Sequence, residues 1–365
     1  MYFLKSVSLL AAALMISQGC EGQLKQESSK PVRGLKDFYS DFFYVGASVT
    51  PSNLDPVSGE RGIIDVEFNS LTAENVMKMG PLHPKENEYY WTDADKIVNF
   101  AVSKGYKMRG HTLCWHRQTP SWIFKAADGS EVSKELLLKR LENHIKEVVT
   151  RYKGKVYAWD VVNEVIDDNI SKVYRESPWY LICGEEYIEK AFIWAHEADP
   201  DALLFYNDYS TENPVKRDKI FNMLKGLKEK GVPVHGIGLQ GHWSIGWPSE
   251  KELRDAIEKY RTLGFEIQVT ELDISVYNSS EDFSVRVAGD DAFTTEREEK
   301  QIEKYRMIFD VFRDYKGVIT SVTFWNVSDR RSWLDNFPVP KRKNYPLLFG
   351  QNYERKKAYG AVTDF

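Results

Sequence analysis

The 365-residue sequence predicts an α/β chain folded as a single-domain (β/α)8 TIM barrel, and three observations carry that prediction. Eight short apolar or β-branched runs alternate with stretches of helical periodicity. Those runs are apolar nearly throughout, as strands buried on both faces of a parallel sheet require. No glycine-rich phosphate loop follows the first run, which argues against an open doubly wound sheet, and eight strand–helix units are the number that closes a barrel.

In chain order the strand runs are Tyr44 to Thr50, Phe68 to Ala73, Lys107 to Leu113, Val156 to Val162, Leu203 to Asn207, Gly236 to Gln240, Phe265 to Thr270 and Val318 to Trp325. Between them apolar residues recur at i, i+3, i+4. In Val132 to Tyr152, for example, Leu137, Leu141, Ile145, Val148 and Tyr152 share one helix face. The polar segment after Asp273, to about Arg297 and with Gly289-Asp290-Asp291 inside it, reads as a long loop bordering the active face. No Pro/Ser/Gly linker, charge block or internal repeat marks a second domain, so residues 35–365 read as one catalytic barrel.

Hydrophobic residues make up 42% and charged residues 28%, with 23 Gly and 14 Pro, which excludes collagen-like and disordered chains. The formal charge of -5 offers no basic field for nucleic acid, so no nucleic-acid partner is expected. The 10 Trp, 20 Tyr and 19 Phe supply flat apolar faces that suit sugar rings as well as cores. Three cysteines, Cys20, Cys114 and Cys183, show no CxxC spacing, and Cys114 and Cys183 read as buried free thiols.

Cys20 stands apart. Lys5, an apolar run from Val7 to Ile16 and then Ser17-Gln18-Gly19 give residues 1–19 the grammar of a signal peptide cleaved before a lipidated Cys20. Ser17 stands where such sites usually have Leu, so an ordinary cleaved signal is the alternative. The apolar run is too short to span a bilayer. Residues 20–34, polar from Glu21 to Lys30, read as a flexible tether. The expected protein is exported, a monomer, and anchored by lipid to a bacterial outer membrane on its cell-surface or periplasmic face, or otherwise secreted. Its only membrane contact would be the lipid.

Polar and aromatic residues crowd the strand ends, where a simple turn would carry Gly, Asn or Asp. Thr72-Ala73-Glu74-Asn75 with Lys78 follows the second strand. GHTLCWH (Gly110 to His116) ends the third, WDVVNE (Trp159 to Glu164) the fourth and YNDY (Tyr206 to Tyr209) the fifth. GLQGHW (Gly238 to Trp243), VTELD (Val269 to Asp273) and FWNVSD (Phe324 to Asp329) end the last three. In a barrel all of these converge on the carboxyl-terminal mouth. Glu164 and Glu271 each terminate an apolar strand with no Lys or Arg beside them, and a pair of carboxyls is what glycoside hydrolysis uses: one protonates the leaving oxygen, the other attacks or activates water. A single Glu at a strand end is more often an ion-pair partner. Joint placement with Asn163, Glu74, Asn75, His111, His242, Trp325 and Trp333 outweighs that reading.

TAENVMK (Thr72 to Lys78), GHTLCWH, WDVVNE, GIGLQGH (Gly236 to His242), VTELD and the FWNVSD...SWL stretch (Phe324 to Leu334) resemble glycoside hydrolase family 10, the β-1,4-xylanases, from about Phe38 to the C-terminus. The resemblance implies a (β/α)8 barrel, retaining endo-hydrolysis of xylan or xylo-oligosaccharides, and no cofactor or metal. It implies Glu164 as acid/base and Glu271 as nucleophile. Glu74, Asn75 and Lys78 match residues that bind hydroxyls on the non-reducing side. His111, Trp115, Asn163, Gln240 and His242 match those around the reacting ring, Trp325 and Trp333 match aromatic walls, and Tyr209 joins the substrate-binding set. Asp160 and Asp273 read as structural hydrogen-bond partners. Two departures fall on the leaving-group side: Ser210 where many relatives have Asn, and Asn326 where Gly is usual. Asn tolerates positive φ, so Asn326 is expected to keep the backbone while adding a side chain near the pocket.

Three competing readings remain. A β-1,4-glucanase or mannanase on the same barrel would need room near Lys78 and Trp333 for a C6 hydroxymethyl group. A non-catalytic surface glycan-binding lipoprotein would keep the aromatics and lose a carboxylate. A metal-dependent hydrolase would use His111 with His116 or His235 with His242, but the spacing is not HExxH and no Asp or Cys completes a ligand set.

Overall fold

The computed structural model describes residues 33–278 and 292–365. The signal segment, Cys20, the tether up to residue 32 and Gly289-Asp290-Asp291 lie outside the described residues.

Among the described residues nine strands form: β1 Tyr44–Val49, β2 Ser70–Ala73, β3 Lys107–Cys114, β4 Ala158–Asn163, β5 Leu203–Asp208, β6 Gly236–Leu239, β7 His242–Ser244, β8 Glu266–Ser275 and β9 Ile319–Phe324. Their pairings are parallel, and β1 meets β9 while β6 meets β8, so the sheet closes on itself. β7 continues the sixth stave beyond a break at Gln240-Gly241 and pairs with the far half of β8. Nine strands thus make eight staves, with helices between them. The helix Lys134–Arg151 buries Leu137, Leu141, Ile145 and Val148, the predicted face, and Ser133 caps its start. Each such buried aliphatic side chain contributes about 1.5–3 kcal/mol. Cys114 and Cys183 are buried and free, and burial pushes the Cys183 thiol up to about 11.

The barrel interior is polar at the level below the mouth. Arg109 of β3 donates through Nε to Gln268 of β8, a strand that is not its neighbour, so this contact crosses the lumen. Its guanidinium also grips Asp160 of β4 by two bonds, and Asp160 in turn holds Nδ1 of His111 at 2.9 Å. A buried pair of this kind is costly to break from one side, about 3–5 kcal/mol, because a charge is left without its partner.

Three register shifts sit directly beneath the mouth: in β3 between His111 and Cys114, in β4 between Asp160 and Val162, and in β8 between Val269 and Leu272. A bulge bends its strand and re-aims a side chain. Here the structure corrects the sequence reading. Glu271 does not end its strand; β8 runs on to Ser275, and Glu271 lies in its bulge, because β7 supplies the extra pairing that carries the strand further. Strand runs to Ser275 and helix begins at Thr295, while residues 279–291, most of the segment predicted as a loop, lie outside the described residues. Elsewhere the boundaries move by one or two residues: Phe68 and Val156 precede their strands, and Gln240 and Trp325 follow theirs.

Candidate active site

At the carboxyl ends of the strands lies a cleft of about 660 Å3. Every residue assigned to the site from sequence lines it: Glu74, Asn75, Lys78, His111, Trp115, Asn163, Glu164, Tyr209, Gln240, His242, Glu271, Trp325 and Trp333.

Glu271 is the most constrained of them. Asn207 Nδ2 donates to its Oε1 at 2.9 Å, and His242 Nε2 lies 3.2 Å from its Oε2. His111 Nδ1 is 3.9 Å from Oε1. Burial alone would raise the carboxyl pKa, but the charges of His111, His242 and Lys78 and the His242 hydrogen bond outweigh it and leave the pKa at about 2. Its neighbour shows the reciprocal effect. Burial disfavours a charged His242, yet Asp273 on Nδ1 (3.0 Å) and Glu271 on Nε2 raise its pKa to about 10. An imidazolium therefore bridges two carboxylates. Asn207 was not found from the sequence, where an Asn inside YNDY looks like a turn residue. It is buried, it accepts from Thr270 Oγ1 at 2.6 Å, and its amide also meets that of Asn163 at 2.8 Å. Gly238 is what makes room for it, since a Cβ there would stand 2.2 Å from Asn207 Oδ1.

Glu164 follows β4 directly with φ 55, the left-handed region that costs a non-glycine residue about 1–2 kcal/mol. Its backbone is held from both sides: its N–H donates to Asn207 O at 2.9 Å, and Arg175 Nε donates to its carbonyl at 3.1 Å. Each carboxylate oxygen receives one N–H, Gln240 Nε2 on Oε1 at 3.0 Å and Trp115 Nε1 on Oε2 at 2.9 Å. Gln240 ties the two acids together, because its backbone carbonyl accepts from Glu271 N at 2.7 Å. Burial lowers the neighbouring His116 to about 4, so this ring stays neutral beside Glu164 at ordinary pH.

Around the pair, Lys78 Nζ donates to Asn75 Oδ1 at 3.0 Å and lies 5.1 Å and 5.7 Å from the ring centroids of Trp115 and Trp325. Burial lowers the pKa of Lys78 against the pull of Glu271, Glu74 and Glu164. Glu74 takes two bonds from Arg331, at 2.9 and 3.1 Å. Tyr209 donates to Asp168 and accepts from Arg175 at 2.8 Å, with Lys216 against its ring. Arg175 comes from an irregular segment whose path no periodicity announces. Of the two departures, Ser210 adopts φ 51 and lines the cleft. Asn326 does keep a positive φ of 90, but its side chain is buried and is not part of the cleft wall. Of the four histidines of the metal reading three are spent otherwise, His111 on Asp160, His242 on Asp273 and Glu271, and His235 Nδ1 on Leu204 N, while His116 Nδ1 is buried without a hydrogen-bond partner.

The bridging imidazolium has a consequence for stability. His242 is raised from 6.5 to about 10 in the fold, so the stability it contributes is complete below about pH 6.5 and is lost as pH rises through about 10. Glu271 is lowered from 4.5 to about 2, so its contribution is present above about pH 4.5 and is lost as pH falls through about 2. Urea unfolding followed from about pH 6 to about pH 10 should show wild-type stability declining, and the decline should be shallower in His242→Gln. Parallel curves for the two proteins would contradict the bridge.

A cleft with one carboxylate fixed as the anion and a second carboxyl supplied with directional N–H donors has the parts for nucleophilic attack coupled to proton transfer. The sequence profile of glycosyl hydrolase family 10 matches residues 34–365. A β-1,4-xylanase from Dictyoglomus thermophilum is 48% identical over 360 residues, covering 98% of each chain. Endo-1,4-β-xylanase B from Paenibacillus barcinonensis is 48% identical over 92% of this chain and 98% of its own. Among solved structures, a xylanase of Paenibacillus barcinonensis complexed with a conduramine derivative superposes with a TM-score of 0.88 at 47% identity, over 92% of this chain and 99% of the other. An endo-1,4-β-xylanase of Caldicellulosiruptor owensensis gives 0.87 at 46% identity, over 92% and 100%. Sequence profile, full-length relatives and superposed barrels agree, and the chain belongs to glycosyl hydrolase family 10.

Proposed function

We propose that this chain is an endo-1,4-β-xylanase that cleaves internal β-1,4-xylosidic bonds of xylan by retaining double displacement. The observation that carries the reading is the setting of Glu271, a buried carboxyl held between His242 and Asn207 in the same cleft as Glu164, where the neighbouring charges lower its pKa. In the first step Glu164 gives its proton to the glycosidic oxygen while Glu271 attacks the anomeric carbon, and the bond from that carbon to the leaving oxygen breaks. In the second, Glu164 takes a proton from water, the water oxygen bonds to the anomeric carbon, and Glu271 leaves as the carboxylate. We assign Asn163 to the 2-hydroxyl and Lys78, Asn75 and Glu74 to the next sugar, all of them residues that line the same cleft. The names of the relatives favour xylan over glucan or mannan, and retention of both carboxylates favours an enzyme over a glycan-binding protein.

Reducing-sugar release from matched samples of β-1,4-xylan, cellulose and mannan tests the substrate class. Release from xylan, with the other two at background, is the expected result. Equal or greater release from cellulose or mannan would transfer the activity to that polymer, and no release from any would favour glycan binding.

A further inference from the structure

We propose that Trp333, beyond walling the cleft, is a positioning residue for the nucleophile: its indole N–H fixes Asp273, which fixes His242, which fixes Glu271. The proposal rests on the reading of Glu271 as nucleophile. The chain of contacts is continuous. Trp333 Nε1 donates to Asp273 Oδ2 at 2.8 Å, Asp273 Oδ2 meets His242 Nδ1 at 3.0 Å, and His242 Nε2 meets Glu271 Oε2 at 3.2 Å.

Two features give the indole more weight than a wall needs. Asp273 is buried and its Oδ1 has no hydrogen-bond partner, so both of its donors, Trp333 and His242, converge on Oδ2. Taking away one of two donors from a buried carboxylate leaves the other to carry its whole stabilisation. The position of Trp333 is also secured without that bond. Ser332 caps the turn Trp333–Asp335, Asp335 accepts from Lys343 Nζ and Asn344 N, and Asn344 accepts from Val276 N just beyond β8. Phe337 stacks on the indole at 5.1 Å. The turn is therefore tied to the nucleophile's own strand, and substitution at 333 can remove the N–H without releasing the loop. The groups facing His242 are Asp273 and Glu271 from β8, Lys78 and His111 on the far side of Glu271, and the rings of Trp325 and Trp333.

Trp333→Phe keeps a ring and deletes the donor. If the indole acts only as a wall, any loss should fall on KM. If it positions the relay, kcat on an aryl xylobioside should fall about tenfold, the effect of weakening one hydrogen bond to a charged group, with KM within about threefold. The pH at which the His242 ring titrates, followed by 15N NMR of histidine-labelled protein and assigned against His242→Gln, should rise by about one pH unit, because Asp273 Oδ2 is then left to the imidazolium alone. In the unaltered protein the Trp333 indole proton should lie downfield and exchange slowly with solvent, a readout that needs no variant to fold. An unmoved His242 titration, a rapidly exchanging indole proton, or a loss confined to KM would each overturn the proposal. Failure of the wild type to turn over the aryl xylobioside would instead count against the nucleophile reading, while the NMR experiments would still decide the hydrogen bond.

Discussion

Glu271→Ala should abolish turnover on every substrate, by about 10^5-fold or more, and leave the fold in place. The loss is large because the proposed double displacement forms its covalent intermediate on Glu271, and what remains is binding and proton donation to a reaction that water must begin. The surroundings survive the change. His242 keeps Asp273 at 3.0 Å, and Asn207 keeps Thr270 and Asn163. Glu271→Gln has the same volume and lets His242 keep an acceptor, yet it cannot attack, so it should be comparably inactive. That comparison separates nucleophilicity from packing. The space vacated by alanine also admits a small anion. With azide and an aryl xyloside bearing a good leaving group, activity should return, the azide nitrogen bonding to the anomeric carbon as the aryl oxide departs, with inverted configuration. More than a trace of turnover by the alanine variant without azide would remove Glu271 from the nucleophile's role.

What the sequence reveals of this site, and what it hides, follows from how each feature is built. Eight strand runs were legible because their apolar periodicity is local, and the side chains at their ends were legible because Glu, His and Trp are out of place in turns. The bulges at His111, Asp160 and Glu271 were not, since register is set by pairing between distant segments: β7 extends β8 through contacts 31 residues apart, such as His242 with Asp273. The same distance hides the charge on His242, which depends on two acids 29 and 31 positions downstream. Asn207 and Arg175 escaped for opposite reasons. Asn207 has the composition of an ordinary turn but faces the lumen, and Arg175 lies in an irregular segment folded back on Glu164. Asn326 shows that a correct backbone inference does not place a side chain: positive φ was foreseeable, burial outside the cleft lining was not.

Glu164→Ala should divide substrates by leaving group. On xylan the departing sugar alkoxide must be protonated as it leaves, so activity should fall about 10^2- to 10^4-fold. An aryl xyloside with an acidic phenol needs no such proton, and its rate of forming the glycosyl-enzyme should fall far less. The geometry allows so specific a loss. Each Glu164 oxygen accepts a single N–H, from Gln240 and from Trp115, which orients the carboxyl while leaving the remaining lone pairs for the proton in transit. Alanine is no worse than glutamate at φ 55, so the backbone strain is not increased, and Arg175 and Asn207 bind main-chain atoms that alanine retains. The second half of the reaction should then become limiting, because water has lost its base, and a burst of phenol should precede a slow steady state. Azide needs no base, so it should relieve that block and give a product of retained configuration, the opposite of the outcome with Glu271→Ala. Two variants rescued by one anion into opposite anomers would assign the acid/base and the nucleophile independently of any structure, whereas equal losses on both substrates would take the acid role from Glu164.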